Sequence, residues 1–111
     1  MKELTVIEWT AAGRERYGTD KRAWRFRCPS CGHVATALDW QAAGAPEGAI
    51  AFSCVGRYDE SVPAETVKAN AFKNAGGPCN YAGGGLFGLN PVRVEGLDVF
   101  DFADRPLAEA S

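Results

Sequence analysis

Residues 24–32 read Trp24-Arg25-Phe26-Arg27-Cys28-Pro29-Ser30-Cys31-Gly32. The first five alternate. Trp24, Phe26 and Cys28 face one way, and Arg25 and Arg27 the other, which is the period of a half-buried strand. The strand delivers Cys28 to its buried side. Pro29 and Ser30 then separate Cys28 from Cys31, and Gly32 permits the unusual backbone that follows a tight turn. Two thiolates spaced C-x-x-C can reach one tetrahedral ion at about 2.3 Å.

A structural zinc site takes four ligands. The chain has four cysteines, and the other two are Cys54 and Cys79. Cys54 ends a second alternating stretch, Ala49-Ile50-Ala51-Phe52-Ser53-Cys54, read as a strand with Ile50, Phe52 and Cys54 on one face. Cys79 arrives through Gly76-Gly77-Pro78. The long interval between them reads as an insertion, residues 55–78, into what would otherwise be a second C-x-x-C turn. The expected metal set is therefore Cys28, Cys31, Cys54 and Cys79, with Zn2+ as the ion. Other assignments stay open: His33 replacing one distal cysteine, a redox dithiol, disulfides, buried free thiols, or iron in the same geometry. His33 is otherwise expected beside the metal or hydrogen-bonded to a thiolate.

Around this constellation the chain divides simply. Thr5-Val6-Ile7-Glu8 has capping-box form, and Val6, Trp9, Gly13 and Tyr17 share a helical stripe. A helix is expected over 5–17, closing near Gly18, with a close packing contact at Gly13. Thr36 and Asp39 repeat the capping pattern ahead of a short helix, 38–43, that stops at Gly44. Pro63 to Phe72 reads as a further helix. Pro91 to Val94 and Leu97 to Phe102 read as strands joined at Glu95-Gly96. The expected core is Val6, Trp9, Tyr17, Trp24, Phe26, Trp40, Ile50 and Phe52.

The fold expected is α+β: a small zinc-ribbon-like antiparallel sheet with an N-terminal helix and an inserted helical or loop segment. It is read as one zinc-binding domain over 1–103 with a flexible tail, 104–111. A chain of 111 residues with 13 Gly and 6 Pro builds a thin core, so a cross-link is useful.

The formal net charge of −2 gives no global field for a polyanion. The charge is uneven, however. Residues 1–35 hold seven Lys and Arg against four acids, and residues 92–111 hold two against five. A partner surface is read at Arg22, Arg25, Arg27 and Arg57 with Tyr81 and Phe87, whose rings can stack on bases. No signal-peptide core and no apolar run of membrane-spanning length is seen, so a reducing, cytoplasmic location is expected. Gly83 to Gly88 matches G-x-G-x-x-G only formally, because Leu89-Asn90-Pro91 prevents the helix a dinucleotide site needs.

Function follows from the ligand set. Four thiolates leave no open coordination position, so catalysis is not expected. The leading reading is a non-enzymatic zinc-binding module with nucleic acid as a candidate target. The alternative is a phage or prophage accessory protein that binds and modulates a host protein through residues 55–90. A small-ligand-binding or metal-dependent enzyme is the third.

The combination of Trp24 to Gly32 with Ala45-Pro46-Glu47, Phe52 to Arg57 and Gly77 to Phe87 resembles a small, functionally uncharacterised family found in phages and bacterial genomes. Its members are four-cysteine proteins with a zinc-ribbon-like first knuckle. The resemblance spans roughly 1–102. It implies phage or prophage origin and a cytoplasmic location, and it carries over no catalytic or binding residues. The split second cysteine pair departs from the zinc-ribbon pattern.

Overall fold

The fold is described from a computed structural model, over residues 2–73, 76–84 and 88–103. It is a small α+β fold with two three-stranded sheets. The elements run β1 (Lys2–Leu4), α1 (Val6–Tyr17), β2 (Arg25–Arg27), β3 (Val34–Thr36), α2 (Ala37–Ala42), α3 (Ala64–Asn70), β4 (Val92–Val94), β5 (Leu97–Val99) and β6 (Asp101–Phe102). Short 3-10 turns lie at Lys21–Ala23, Glu47–Ala49 and Val55–Arg57.

The capping signals were legible and correct. Thr5 Oγ1 accepts the Glu8 N–H while Glu8 accepts the Thr5 N–H, and Thr36 and Asp39 do the same for α2. Such caps satisfy amides that the first helical turn leaves without partners. α1 then packs Trp9 onto Phe26 and Phe102, with ring centroids 6.0 and 5.8 Å apart.

Sheet order β3-β2-β6 places those two phenylalanines opposite each other, Phe26 against Phe102. Their rings stack at 5.3 Å. Trp24, Trp40 and Phe100 are the largest fully buried side chains. Each indole N–H has a carbonyl acceptor: Trp24 Nε1 donates to Gly18 O and Trp40 Nε1 to Ser53 O, both at 2.9 Å. Buried indoles need such partners.

The second sheet, β1-β4-β5, was only half expected. β4 and β5 form the foreseen hairpin, turning at Glu95 (φ 47°) and Gly96 (φ 91°). β1 was missed. It pairs in parallel with β4, Lys2 to Val92, and three residues carry too little alternation to announce a partner so distant in sequence.

Three expectations need correction. Ala49–Cys54 is not a strand: Ala51 adopts φ 58° and the Phe52 and Ser53 amides both turn back to Ala49 O. Ala49, Ala51 and Ser53 are buried as a result, while Ile50 and Phe52 are only half-buried. Leu97–Phe102 is two strands, because Phe100 leaves one sheet to donate its N–H to Ala51 O at 2.8 Å, and the chain enters the other. Val6 is 48% exposed, because α1 turns its Trp9, Gly13 and Tyr17 side inward and Val6 lies at its open first turn. Phe100, Phe102, Tyr81, Val92 and Val99 are among the core residues the sequence reading missed. The helix expected at Pro63–Phe72 is Ala64–Asn70, and the proposed tail, 104–111, lies outside the described residues.

Gly13 is buried on α1 with the Trp24 ring against it, closer than any Cβ allows. The ring cannot retreat, being held by Gly18 O and 1% exposed. Gly13→Ala is therefore expected to cost about 1–3 kcal/mol by overpacking, despite the better helix propensity of Ala. A urea titration checks this, and an unchanged or raised midpoint would reject the contact.

Candidate metal centre

β2 carries Cys28 into the interior, and the chain reverses before β3. The Cys28 N–H donates to His33 O and the Gly32 N–H to Cys28 O, each at 2.9 Å. Gly32 takes φ 81° at this reversal. Cys31 is thereby set beside Cys28. Cys54 precedes the 3-10 turn Val55–Arg57 and donates its N–H to Tyr81 O at 2.9 Å. That bond ties the backbone at Cys54 to the residue two beyond Cys79, although 24 residues separate the two cysteines in the sequence.

All four cysteines are buried, between 0% and 2% exposed. None is in a disulfide. Their four Sγ atoms lie within 4.8 Å of one another. Cys28 Sγ is 3.9 Å from Cys79 Sγ, and Cys31 Sγ is 3.8 Å from Cys54 Sγ. A tetrahedron with metal–sulfur bonds of about 2.3 Å has edges of about 3.8 Å. Disulfide bonding requires about 2.05 Å. These two separations therefore match the edges expected of sulfurs around one ion.

Each sulfur also accepts one backbone N–H at 3.4 Å. Ser30 donates to Cys28, His33 to Cys31, Cys79 to Cys54, and Tyr81 to Cys79. Amides aimed at sulfur stabilise thiolate over thiol. Three of these donors lie two residues beyond the cysteine they serve, so spacing could have revealed them. The fourth, Cys79 to Cys54, crosses the insertion and had no sequence signal.

Four thiolates this close cannot coexist without a cation. Contacts with Cys31, then Cys54 and Cys79, with burial added, push the Cys28 thiol far above the ordinary range. Contacts from Cys28, then Cys31 and Cys54, hold Cys79 far below it. A divalent ion held by the four sulfurs would relieve that repulsion by taking the place of the protons.

The segment returning to Cys79 is pinned over the first knuckle. Ser30 Oγ accepts the Phe72 N–H and Cys31 O accepts the Gly76 N–H, both at 2.8 Å. His33 is not among the gathered ligand atoms. Its ring Nδ1 meets Gly76 O at 3.1 Å, and because a carbonyl only accepts, Nδ1 carries hydrogen there. The expected thiolate bond from His33 comes from its backbone rather than its ring. Gly77 passes so close to Cys31 Sγ that a Cβ would strike the sulfur.

The residues expected at a partner surface have different surroundings. Arg22 is exposed and paired with Asp20 at 3.1 Å. Arg27 donates to Gly32 O at 3.3 Å and Ala103 O at 3.0 Å. Arg57 is exposed and donates to Asn80 O at 3.0 Å. Arg25 is exposed on β2. Tyr81 is 5% exposed, and its hydroxyl accepts the Leu89 N–H at 2.8 Å. Its ring packs in the core and presents no stacking face to a partner. Phe87 lies outside the described residues.

A family model described as VVA0879-like matches residues 5–103. The chain belongs to the VVA0879-like family. The matched span contains all four cysteines together with α1, both caps and β2 through β6. No curated protein and no solved structure matches the chain.

The geometry makes the four cysteines equivalent. Cys54→Ser or Cys79→Ser is expected to lower metal content as severely as Cys28→Ser, and His33→Ala to leave it intact. Elemental analysis of the purified variants checks this. Retention of metal by either distal variant would break the four-sulfur assignment.

Proposed function

We propose that this protein is a non-enzymatic binding module built on one structural zinc ion held by Cys28, Cys31, Cys54 and Cys79. The observation that carries the reading is the set of four buried sulfurs within 4.8 Å of one another, each with a backbone N–H donor. Zinc suits a four-sulfur tetrahedral set and has no redox chemistry of its own. The Cys28–Gly32 turn acts in this reading as a zinc-ribbon-type knuckle. With four protein ligands the ion has no place for water or substrate, so its contribution is structural.

The ion clips two loops. It joins the short Cys28–Cys31 turn to both ends of the 55–78 insertion. Structural zinc supplies about 10–16 kcal/mol in small peptide systems. A whole domain is stable by only about 5–15 kcal/mol. The fold therefore depends on the metal.

Of the two partner classes, a protein is the better supported. A nucleic-acid face would rely on Arg22, Arg25, Arg27 and Arg57 with stacking rings. Arg22 already faces a carboxylate, Arg27 is tied to two carbonyls, and Tyr81 is buried. No helix among the described residues is long and apolar enough to cross a membrane.

Two outcomes follow. Chelation is expected to abolish the cooperative thermal transition or lower its midpoint sharply, as followed by circular dichroism; an unmoved transition would contradict a structural role. Metal-bound thiolates stay ionised far below the ordinary cysteine value of about 8.5. Their contribution to stability is thus complete above that value and is lost as pH falls, when protons displace the ion. Zinc release measured with a chromophoric chelator should rise on acidification, and release that grew with alkalinity would reverse the sign.

Titration of a labelled single-stranded oligonucleotide separates the partner classes. Little binding at low salt is expected here. Tight binding that weakens steeply with salt would favour nucleic acid instead.

A further inference from the structure

The four sulfurs meet in two crossed pairs. Cys28 Sγ contacts Cys79 Sγ at 3.9 Å, and Cys31 Sγ contacts Cys54 Sγ at 3.8 Å. Each pair takes one sulfur from the Cys28–Gly32 turn and one from an end of the insertion. A disulfide bond is about 2.05 Å long, so each pair closes by an approach of less than about 2 Å. The pairs share no atom and can close together. Bonds between them would connect the same two loops that the ion clips. Pairing within the turn, Cys28 with Cys31, would instead leave the two loops unconnected.

The surroundings select the oxidant. The buried sulfurs shut out a bulky disulfide such as oxidised glutathione and leave a small peroxide as the reagent. Attack comes from thiolate rather than thiol, and the four backbone N–H donors favour thiolate. One sulfur attacks a peroxide oxygen, the O–O bond breaks, hydroxide leaves and a sulfenic acid remains. The paired thiolate then attacks that sulfur. The S–S bond forms, the S–O bond breaks and a second hydroxide leaves. Each sulfur gives up one electron and the peroxide gains two. Two peroxides therefore convert four thiolates into two disulfides and four hydroxides, and the ion departs without ligands. Every sulfur has the other three within 4.8 Å, so a sulfenic acid is resolved before a second peroxide can oxidise it further.

We propose that the cysteine cluster is a cross-link with two states: a zinc-bound tetrathiolate that hydrogen peroxide converts, with release of the ion, into the disulfides Cys28–Cys79 and Cys31–Cys54. The proposal rests on the structural-zinc reading and adds a redox response to it. The oxidised chain loses the ion but keeps both connections between the turn and the insertion, across sequence separations of 51 and 23 residues. Such long loops are where a disulfide most restricts the unfolded chain. Metal removal without oxidation leaves neither connection.

The test begins with zinc content. The zinc-loaded protein is then titrated with hydrogen peroxide beside a chromophoric chelator too dilute to strip the reduced form. The product is digested without reduction and its disulfides are mapped by mass spectrometry. The result expected is one zinc released for every two peroxides consumed, with both crossed disulfides in a monomeric chain. Dithiothreitol followed by zinc should restore metal binding. The oxidised, metal-free protein should keep a cooperative melting transition that the chelated, reduced protein lacks. Zinc retained under excess peroxide, Cys28–Cys31 pairing, disulfide-linked dimers, sulfinic acid products or an oxidised form without a transition would overturn the proposal. A chain that is folded without metal at the outset defeats the structural-zinc reading. A zinc-loaded chain that fails to form the crossed pairs defeats the redox response alone.

Discussion

Four sulfur atoms that share one small volume impose a demand on the rest of the chain. As thiolates they repel one another, and as thiols they waste four aimed amides. A divalent cation would resolve both conditions at once. The surrounding backbone is arranged for that outcome: the Cys28–Gly32 turn closes on His33 O, the Cys54 amide reaches Tyr81 O, and the return to Cys79 is fastened to Ser30 and Cys31. None of these bonds belongs to a sheet ladder or a helix. They are the local framework of a chain whose regular elements are short.

The aromatic core performs a complementary task. Trp9, Trp24, Phe26 and Phe102 bind α1 to the sheet that delivers Cys28. Trp40 and Phe100 join α2 to the turn around Ala51, immediately before Cys54. The apolar cluster therefore places both halves of the ligand set, and the cysteines themselves belong to its buried interior. Aromatic packing and the cysteine cluster are two parts of one core. Neither is large enough alone in a chain of this size.

Local chemistry explains what could be read from the sequence. Thr5 with Glu8 and Thr36 with Asp39 announced their helices, because a cap involves residues only three apart. The Trp24–Cys28 alternation announced β2 for the same reason. The second half of the site was harder. Cys54 does lie with the other three sulfurs, but it was set on a strand that does not exist, since alternation of small and large residues around Ala51 imitates a strand when the backbone is actually turning. Phe100 and Phe102 were read as a continuous strand because a switch between sheets leaves no local mark. β1 was invisible, its strand partner lying 90 residues away in register, Lys2 against Val92. Tyr81 was assigned to a surface because aromatic residues near glycines read as exposed loop, whereas its hydroxyl is satisfied internally by Leu89.

The decisive quantity is the number of sulfur atoms bound to the metal. X-ray absorption spectroscopy of the protein as purified measures it directly. Four sulfur neighbours at about 2.3 Å around zinc are predicted. Fewer than four sulfurs, a nitrogen or oxygen neighbour in their place, or a folded protein carrying no metal would contradict it.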